Sequence, residues 1–298
     1  MVMPNFLIIG AAKSGTTALY NYLKQHPEIY MSPAKEPRFF AFEGEKLNFQ
    51  GVTSGMKNSI TNLADYQALF KGVSREKAIG EASTIYLDIP KTVDRIKHYI
   101  PDAKLIAILR NPVDRAYSHF SMQIREAREP IMDFSKALAC ERKRIQDNWI
   151  PGFHYASKGL YYSKIKRYFD AFNREQIRVD LYEELKTDSL GLIQDIFSFL
   201  EVDKTFVPDT SIRFNVSGIP KNRMIHNFLG RPNPIKKALK PLLPKKLRNR
   251  LSASIKQRNL TKLPPMSPEV RQELIEVYRE DILMLQDLLE RDLYSWLE

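Results

Sequence analysis

Residues 6–17 read Phe-Leu-Ile-Ile-Gly-Ala-Ala-Lys-Ser-Gly-Thr-Thr. Phe6 to Ile9 is a dense apolar run closed by Gly10, the pattern of a buried strand. From Thr16 to Gln25 the spacing turns helical, with Leu19, Tyr20 and Leu23 on one face and Pro27 as the stop. The order is therefore strand, tight loop, helix. Two glycines five apart, in that context, form a phosphate cradle: loop N–H groups and the helix N-terminus point at an anion. The alternative is a tight glycine turn with no ligand.

Working outward, Lys104–Leu109 (KLIAIL) reads as a second buried strand. Asn111-Pro112 breaks it, and Val113 to about Arg125 reads as a helix with proline in its first turn. Gln176–Leu181 is a third strand candidate, and Ala78–Ile79 a weaker fourth. Helical segments fall at Leu63–Phe70, Phe134–Asp147, Tyr162–Phe172, Ser189–Leu200 and, longest and most regular, Pro268–Leu289. Strands alternating with helices predict one α/β domain over residues 1–298, with a central, mostly parallel sheet flanked by helices in the style of P-loop kinases.

The chain has 298 residues, 43% of them hydrophobic, enough for a large core. The formal charge is +11, but its source is local. Between Arg231 and Lys262 there are 11 Lys/Arg and no Asp/Glu; elsewhere 35 basic residues face 35 acidic ones. A general nucleic-acid footprint, which spreads over a folded face, does not fit. The basic stretch reads as a helical insertion or lid, with contact to an anionic membrane or polyanion as one use and plain solvation as the other. One cysteine, Cys140, can form no internal disulfide, and histidines 26, 98, 119, 154 and 226 show no ligand spacing, so no metal is expected. His119 reads as a packed histidine. No apolar stretch reaches the roughly 18–20 residues of a spanning helix. These features predict a cytoplasmic protein, peripheral to a membrane if the basic stretch serves as an anchor.

Compared with the Walker pattern G-x-x-x-x-G-K-[ST], Gly10, Gly15 and Thr17 fit, but Thr16 stands in the lysine position and the lysine lies earlier, at Lys13. No strand ends in an acid that plainly suits Mg²⁺. The displaced lysine points to a cradle for a 5′-phosphosulfate rather than a triphosphate. A P-loop nucleotide kinase, and a basic membrane or polyanion binder on a nucleotide-binding fold, are the two rival readings.

Several motifs in order resemble those of the sulfotransferases that use 3′-phosphoadenosine 5′-phosphosulfate (PAPS), especially the heparan-sulfate and bacterial branch. Residues 6–17 look like that family's 5′-phosphosulfate loop. LRNPVDRAYSHF, residues 109–120, looks like its 3′-phosphate motif, and KEPRFF, residues 35–40, like the segment that holds the catalytic base in the glycan branch. The resemblance implies transfer of a sulfuryl group to a hydroxyl or amine of a glycan, lipid or natural product, leaving 3′-phosphoadenosine 5′-phosphate (PAP), with no metal. It implies that Lys13, Ser14, Gly15, Thr16 and Thr17 bind the phosphosulfate and that Lys13 stabilises the leaving group. Arg110 and Ser118 are implied to bind the 3′-phosphate, an Arg fork suiting a dianion. The loop Lys221-Asn222-Arg223 is implied to close over it; a solvated surface loop reads the same way.

Glu36 is the implied base, since a hydroxyl needs its proton removed to attack. Lys35 and Arg38 should keep it ionised. Taken alone, Lys-Glu-Pro-Arg reads as a solvated charge cluster. Arg38 and Ala41 stand where the heparan 3-O branch has His and Asp, a departure that touches the base's supporting partners and the acceptor. Glu81-Ala82-Ser83-Thr84 looks like the substrate-side segment Glu-Lys-[ST]-Pro, with Ala82 replacing the lysine. Glu81 is thus a second acidic candidate, and Tyr161, opening a helix, is a candidate for the acceptor cleft.

Overall fold

In the computed structural model, residues 2–51, 56, 58–211, 219–220, 260–261 and 264–298 are described, residues 219, 220 and 260 by their backbone alone. The elements run β1 (Phe6–Gly10), α1 (Thr16–Leu23), β2 (Ile29–Met31), α2 (Phe39–Phe42), α3 (Leu63–Ala68), β3 (Ala78–Ala82) and α4 (Thr92–Tyr99). There follow β4 (Lys104–Leu109), α5 (Pro112–Arg125), α6 (Phe134–Ala139), α7 (Glu141–Gln146), α8 (Tyr162–Ala171), β5 (Ile177–Leu181), α9 (Tyr182–Thr187) and α10 (Ser189–Phe199). A short antiparallel pair, β6 (Ile219–Pro220) with β7 (Leu260–Thr261), and α11 (Pro268–Leu289) complete the described chain.

The central sheet has five strands in the order β2-β3-β1-β4-β5, each pair parallel. This is the expected single α/β domain. Alternation along the strands splits the core into two layers. Leu7, Ile9, Leu105, Ala107 and Leu109 face α2, α4, α5, α8 and α11. Phe6, Ile8, Ile106 and Ile108 face α1, α9 and α10. Parallel strands covered on both sides carry continuous apolar runs, which is why FLIIG and KLIAIL were readable.

Three features differ from the expectation. β2, Ile-Tyr-Met between Pro27 and Pro33, is too short to show a period, and β3 runs on past Ile79 to Ala82, carrying Glu81 inside the sheet. The helix expected over 134–147 is two helices joined at Cys140. The second is anchored at buried Glu141, which accepts from the N–H groups of Tyr155, Ala156 and Ser157, and at buried Arg144, which forks onto Glu129. α11 spans Pro268–Leu289 as expected, capped by the Ser267 hydroxyl.

The chain leaves β1 toward β2 on one side of the sheet and leaves β4 toward β5 on the other. The carboxyl ends of β1 and β4 therefore flank the topological switch point, where open α/β sheets present a crevice. Among the described residues no helix is long and apolar enough to cross a membrane.

Candidate active site

The crevice is built first from the loop after β1. The Ala11 N–H donates to the Ile108 carbonyl at 2.8 Å, tying the loop's start to β4. Lys13 adopts φ 74° and Gly15 φ 89°, so the chain turns through two left-handed residues before α1 begins. A Cβ on Gly15 would lie 2.6 Å from Leu185 Cδ2, so both the dihedral and the space demand glycine here. α1 starts with no side-chain cap and no acid in its first turn. Among the described residues the N–H groups of Gly15, Thr16 and Thr17 meet no acceptor, and the Ser14 hydroxyl is fully buried without a hydrogen-bond partner. Unsatisfied donors at the positive end of a helix fit an anion.

Lys13 Nζ makes no ion pair among the described residues. Burial pushes its pKa down to about 8, helped by the nearby Arg125, Arg110 and Lys35 and opposed by Glu126. Its charge is costly in the ligand-free site and becomes favourable beside an anion.

Arg110 leaves the end of β4. One guanidinium nitrogen donates to the Lys13 carbonyl at 3.3 Å, and the group stacks 4.7 Å from the Tyr182 ring centre. Among the described residues it has no carboxylate partner, so its fork remains available. Ser118 lies in the second turn of α5, half-buried, with Asn111 capping that helix through the Val113 and Asp114 N–H groups. Asp114 pairs outward with Arg271 at 2.9 Å, and His119 packs inward, its pKa held well below the usual imidazole value by burial and by Arg115.

On the other side, Glu36 and Arg38 both occupy the left-handed region, at φ 62° and 59°. Such conformations cost about 1–3 kcal/mol each and persist only when surroundings impose them. Here the Glu36 N–H donates to the Ala82 carbonyl at 2.9 Å and the Arg38 N–H to the Ser83 hydroxyl at 3.0 Å. The Glu36 carboxylate accepts from the Thr84 hydroxyl at 3.0 Å and from the Thr84 N–H at 3.2 Å. Lys35 lies 3.3 Å and Arg38 3.5 Å from it. Burial pushes its pKa up, but Lys35, Arg38 and Thr84 together outweigh that and leave it below the ordinary carboxylate value. With a side chain 21% exposed, Glu36 is not a solvated charge; it is a held, ionised carboxylate.

Glu81 is placed differently from expectation. It sits within β3, fully buried, its carboxylate accepting from the Tyr86 hydroxyl at 2.5 Å and the Tyr66 hydroxyl at 3.3 Å. Burial raises its pKa to about 7, against the Tyr86 and Ser83 hydrogen bonds and with the Glu36 charge adding. It backs the site rather than opening onto it. Tyr161 is likewise fully buried, and its hydroxyl donates to the Arg110 carbonyl at 3.0 Å. It therefore lines no acceptor cleft; the side chain is drawn inward by that bond. Lys221, Asn222 and Arg223 lie outside the described residues, as does all of 231–262 except Leu260 and Thr261. β6, just before Lys221, runs against α5.

Thr84, as the partner of Glu36, and Tyr182 are site residues that the sequence analysis does not single out. Thr84 belongs to a quoted motif, and a strand's carboxyl end followed by an aromatic signalled Tyr182. Among the described residues no group of three or more His, Cys, Asp or Glu could hold a metal ion.

Residues 4–206 match the Sulfotransferase family. A crystal structure of a sulfotransferase from Alicyclobacillus acidocaldarius is 35% identical and superposes with a TM-score of 0.79, covering 100% of both chains. The membrane-associated sulfotransferase kil1 of Dictyostelium discoideum is 24% identical over 77% of this chain and 62% of its own length. The mouse bifunctional heparan sulfate N-deacetylase/N-sulfotransferase 1 is 30% identical over 68% of this chain and 22% of its own. The chain thus spans less than two thirds of these two longer relatives.

Proposed function

The chain belongs to the sulfotransferase family, and from that premise we propose that it moves a sulfuryl group from PAPS to a hydroxyl or amine of an acceptor. One observation carries the reading: an uncapped, cation-lined helix N-terminus faces the same crevice as a carboxylate held ionised by Lys35, Arg38 and Thr84.

The donor supplies the activated sulfuryl group. Its 5′ end is bound by the Ser14 hydroxyl and by the N–H groups of Gly15, Thr16 and Thr17, which otherwise lack partners, with the Thr16 and Thr17 hydroxyls beside them. Arg110 and Ser118 bind the 3′-phosphate, with Lys221, Asn222 and Arg223 closing over it. Glu36 takes the acceptor's proton as its oxygen or nitrogen bonds to sulfur. The sulfur–oxygen bond to the phosphate breaks, and Lys13 stabilises the charge that develops on the departing oxygen. Arg38 faces the acceptor beside Glu36. Glu81 acts from behind, through its charge, without touching substrate. No step requires a metal.

A glycan is the first acceptor class to test, because relatives include carbohydrate and heparan sulfate sulfotransferases. The basic segment 231–262 supports peripheral contact with an anionic membrane or polyanion, and one relative is described as membrane-associated. The single cysteine supports a cytoplasmic setting. Flotation with anionic liposomes tests the contact; no binding at low salt discards it.

Thermal-shift titration with PAP, 5′-AMP and ATP-Mg²⁺ tests the donor. Preferential stabilisation by PAP is expected, and preference for ATP-Mg²⁺ would overturn the reading. Transfer of labelled sulfate from PAPS to a glycan panel then reads the activity directly.

A further inference from the structure

The stretch that matches the Sulfotransferase family ends at residue 206, yet the C-terminal helix contacts the residue whose hydroxyl holds the Arg110 carbonyl. Asp281 on α11 accepts from the Tyr161 N–H at 2.6 Å and the Tyr162 N–H at 3.2 Å. α8 has no side-chain cap of its own, so α11 supplies one from 120 residues away. The Trp296 ring packs 6.2 Å from the Tyr161 ring. Between these two contacts Tyr161 is immobilised, fully buried, with its hydroxyl on the Arg110 carbonyl at 3.0 Å.

We propose that Tyr161 is a positioning residue for the donor's 3′-phosphate, fixing the backbone of Arg110 at the β4–α5 junction, and that Asp281 holds Tyr161 in place. Three contacts then define Arg110: its carbonyl on Tyr161, its guanidinium on the Lys13 carbonyl, and its flat face on Tyr182. Only the first sets where the side chain departs from the main chain, and a small shift there is magnified at the end of a long arginine. Asn111 caps α5 independently, so losing the Tyr161 hydroxyl frees Arg110 without unseating the helix that carries Ser118. Burial pushes the Tyr161 pKa up to about 12, so the hydroxyl stays a donor at every working pH.

The inference rests on the assignment of Arg110 to the 3′-phosphate. Titration calorimetry with PAP and 5′-AMP on wild type, Tyr161→Phe, Asp281→Asn, Arg110→Ala and the Tyr161→Phe/Arg110→Ala pair tests both. Tyr161→Phe is expected to weaken PAP about five- to tenfold, the scale of one buried hydrogen bond, and to weaken 5′-AMP less, the Tyr161 hydroxyl also lying beside Ser14 of the 5′ cradle. Asp281→Asn, which keeps the shape but weakens the cap, shifts PAP in the same direction and serves if the phenylalanine variant fails to fold. The double variant should bind PAP no more weakly than Arg110→Ala alone. Equal losses for both nucleotides, or losses that add in the pair, overturn the tether. Wild-type PAP affinity in Arg110→Ala overturns instead the assignment of Arg110 itself.

Discussion

Thr84 donates twice to Glu36: its hydroxyl lies 3.0 Å from one carboxylate oxygen and its backbone N–H 3.2 Å from the other. The pairing holds the carboxylate in one orientation and favours its charged form. Because Glu36 also sits in a left-handed conformation, the pair is the means by which a strained residue presents a fixed base.

Thr84→Val keeps the branched shape and the N–H but removes the hydroxyl donor. The Glu36 pKa should rise, since a hydrogen bond to the ionised form is lost. Turnover should fall about three- to tenfold at neutral pH, and the acid limb of the rate profile should move to higher pH. Glu36→Gln should lose about 10²–10⁴-fold. Steady-state rates from about pH 3 to 8, a range that brackets a carboxylate titrating below its ordinary value, check both. An unshifted acid limb in Thr84→Val would remove Thr84 from the base's support.

Glu81→Gln should stabilise the protein in alkaline but not acid solution. Burial raises the Glu81 pKa from the ordinary carboxylate value of 4.5 to about 7 on folding, so between those values the folded state holds a proton that the unfolded state has released. Wild-type stability therefore falls as pH rises through that interval and levels off above it. The neutral glutamine escapes this cost while still accepting from Tyr66 and Tyr86. The gain should reach about 3 kcal/mol at pH 8 and become small near pH 4.5, from roughly 1.4 kcal/mol per pKa unit. Urea unfolding at the two pH values measures it; a gain independent of pH would contradict the assignment.

These residues also show where the sequence was legible. β1, β4, α5 and α11 were readable because dense apolar runs and a sustained helical period belong to the segment itself. β2 was not, since three residues between two prolines carry no period. The strand reading stops at Ile79 and leaves Glu81 outside it, because a charge inside a strand breaks the apolar pattern. What makes it tolerable, Tyr66 and Tyr86, is supplied by a separate helix and a following turn. Lys13, Arg110 and Glu36 are candidates because they lie in motifs; the contacts that Thr84, Tyr161, Tyr182 and Asp281 make around them form only on folding. Chemistry clusters in short loops and leaves motifs, whereas positioning is spread along the chain.

Gly15→Ala should destabilise the protein and remove donor binding together. The added methyl meets φ 89° and lies 2.6 Å from Leu185 Cδ2. A left-handed non-glycine residue alone costs about 1–2 kcal/mol, and the contact adds to it. Because this residue is also the N-cap of α1, any adjustment turns the N–H groups away from the crevice. Thermal melting with and without PAP checks the pair of effects. A variant that melts lower yet keeps the full PAP-induced shift would separate the fold from the cradle.

Lys13 provides a proton-linked signature of donor binding. In the ligand-free protein its pKa is lowered to about 8, chiefly by burial and then by Arg125. An anion bound at the α1 N-terminus favours the charged amine, so binding must raise that value. Near pH 8 part of the population is neutral, and PAP binding should then take up close to half a proton at Lys13, falling toward zero at pH 6.5. Above pH 8 affinity should decline about tenfold per unit until the pKa of the complex is reached. Calorimetry in buffers of different ionisation enthalpy measures the uptake. Lys13→Arg, charged throughout, should abolish it and flatten the affinity profile, while Lys13→Ala should lower turnover about 10²–10³-fold by removing the cation at the departing oxygen. Uptake that persists in Lys13→Arg would assign the titration to another group and detach Lys13 from the anion.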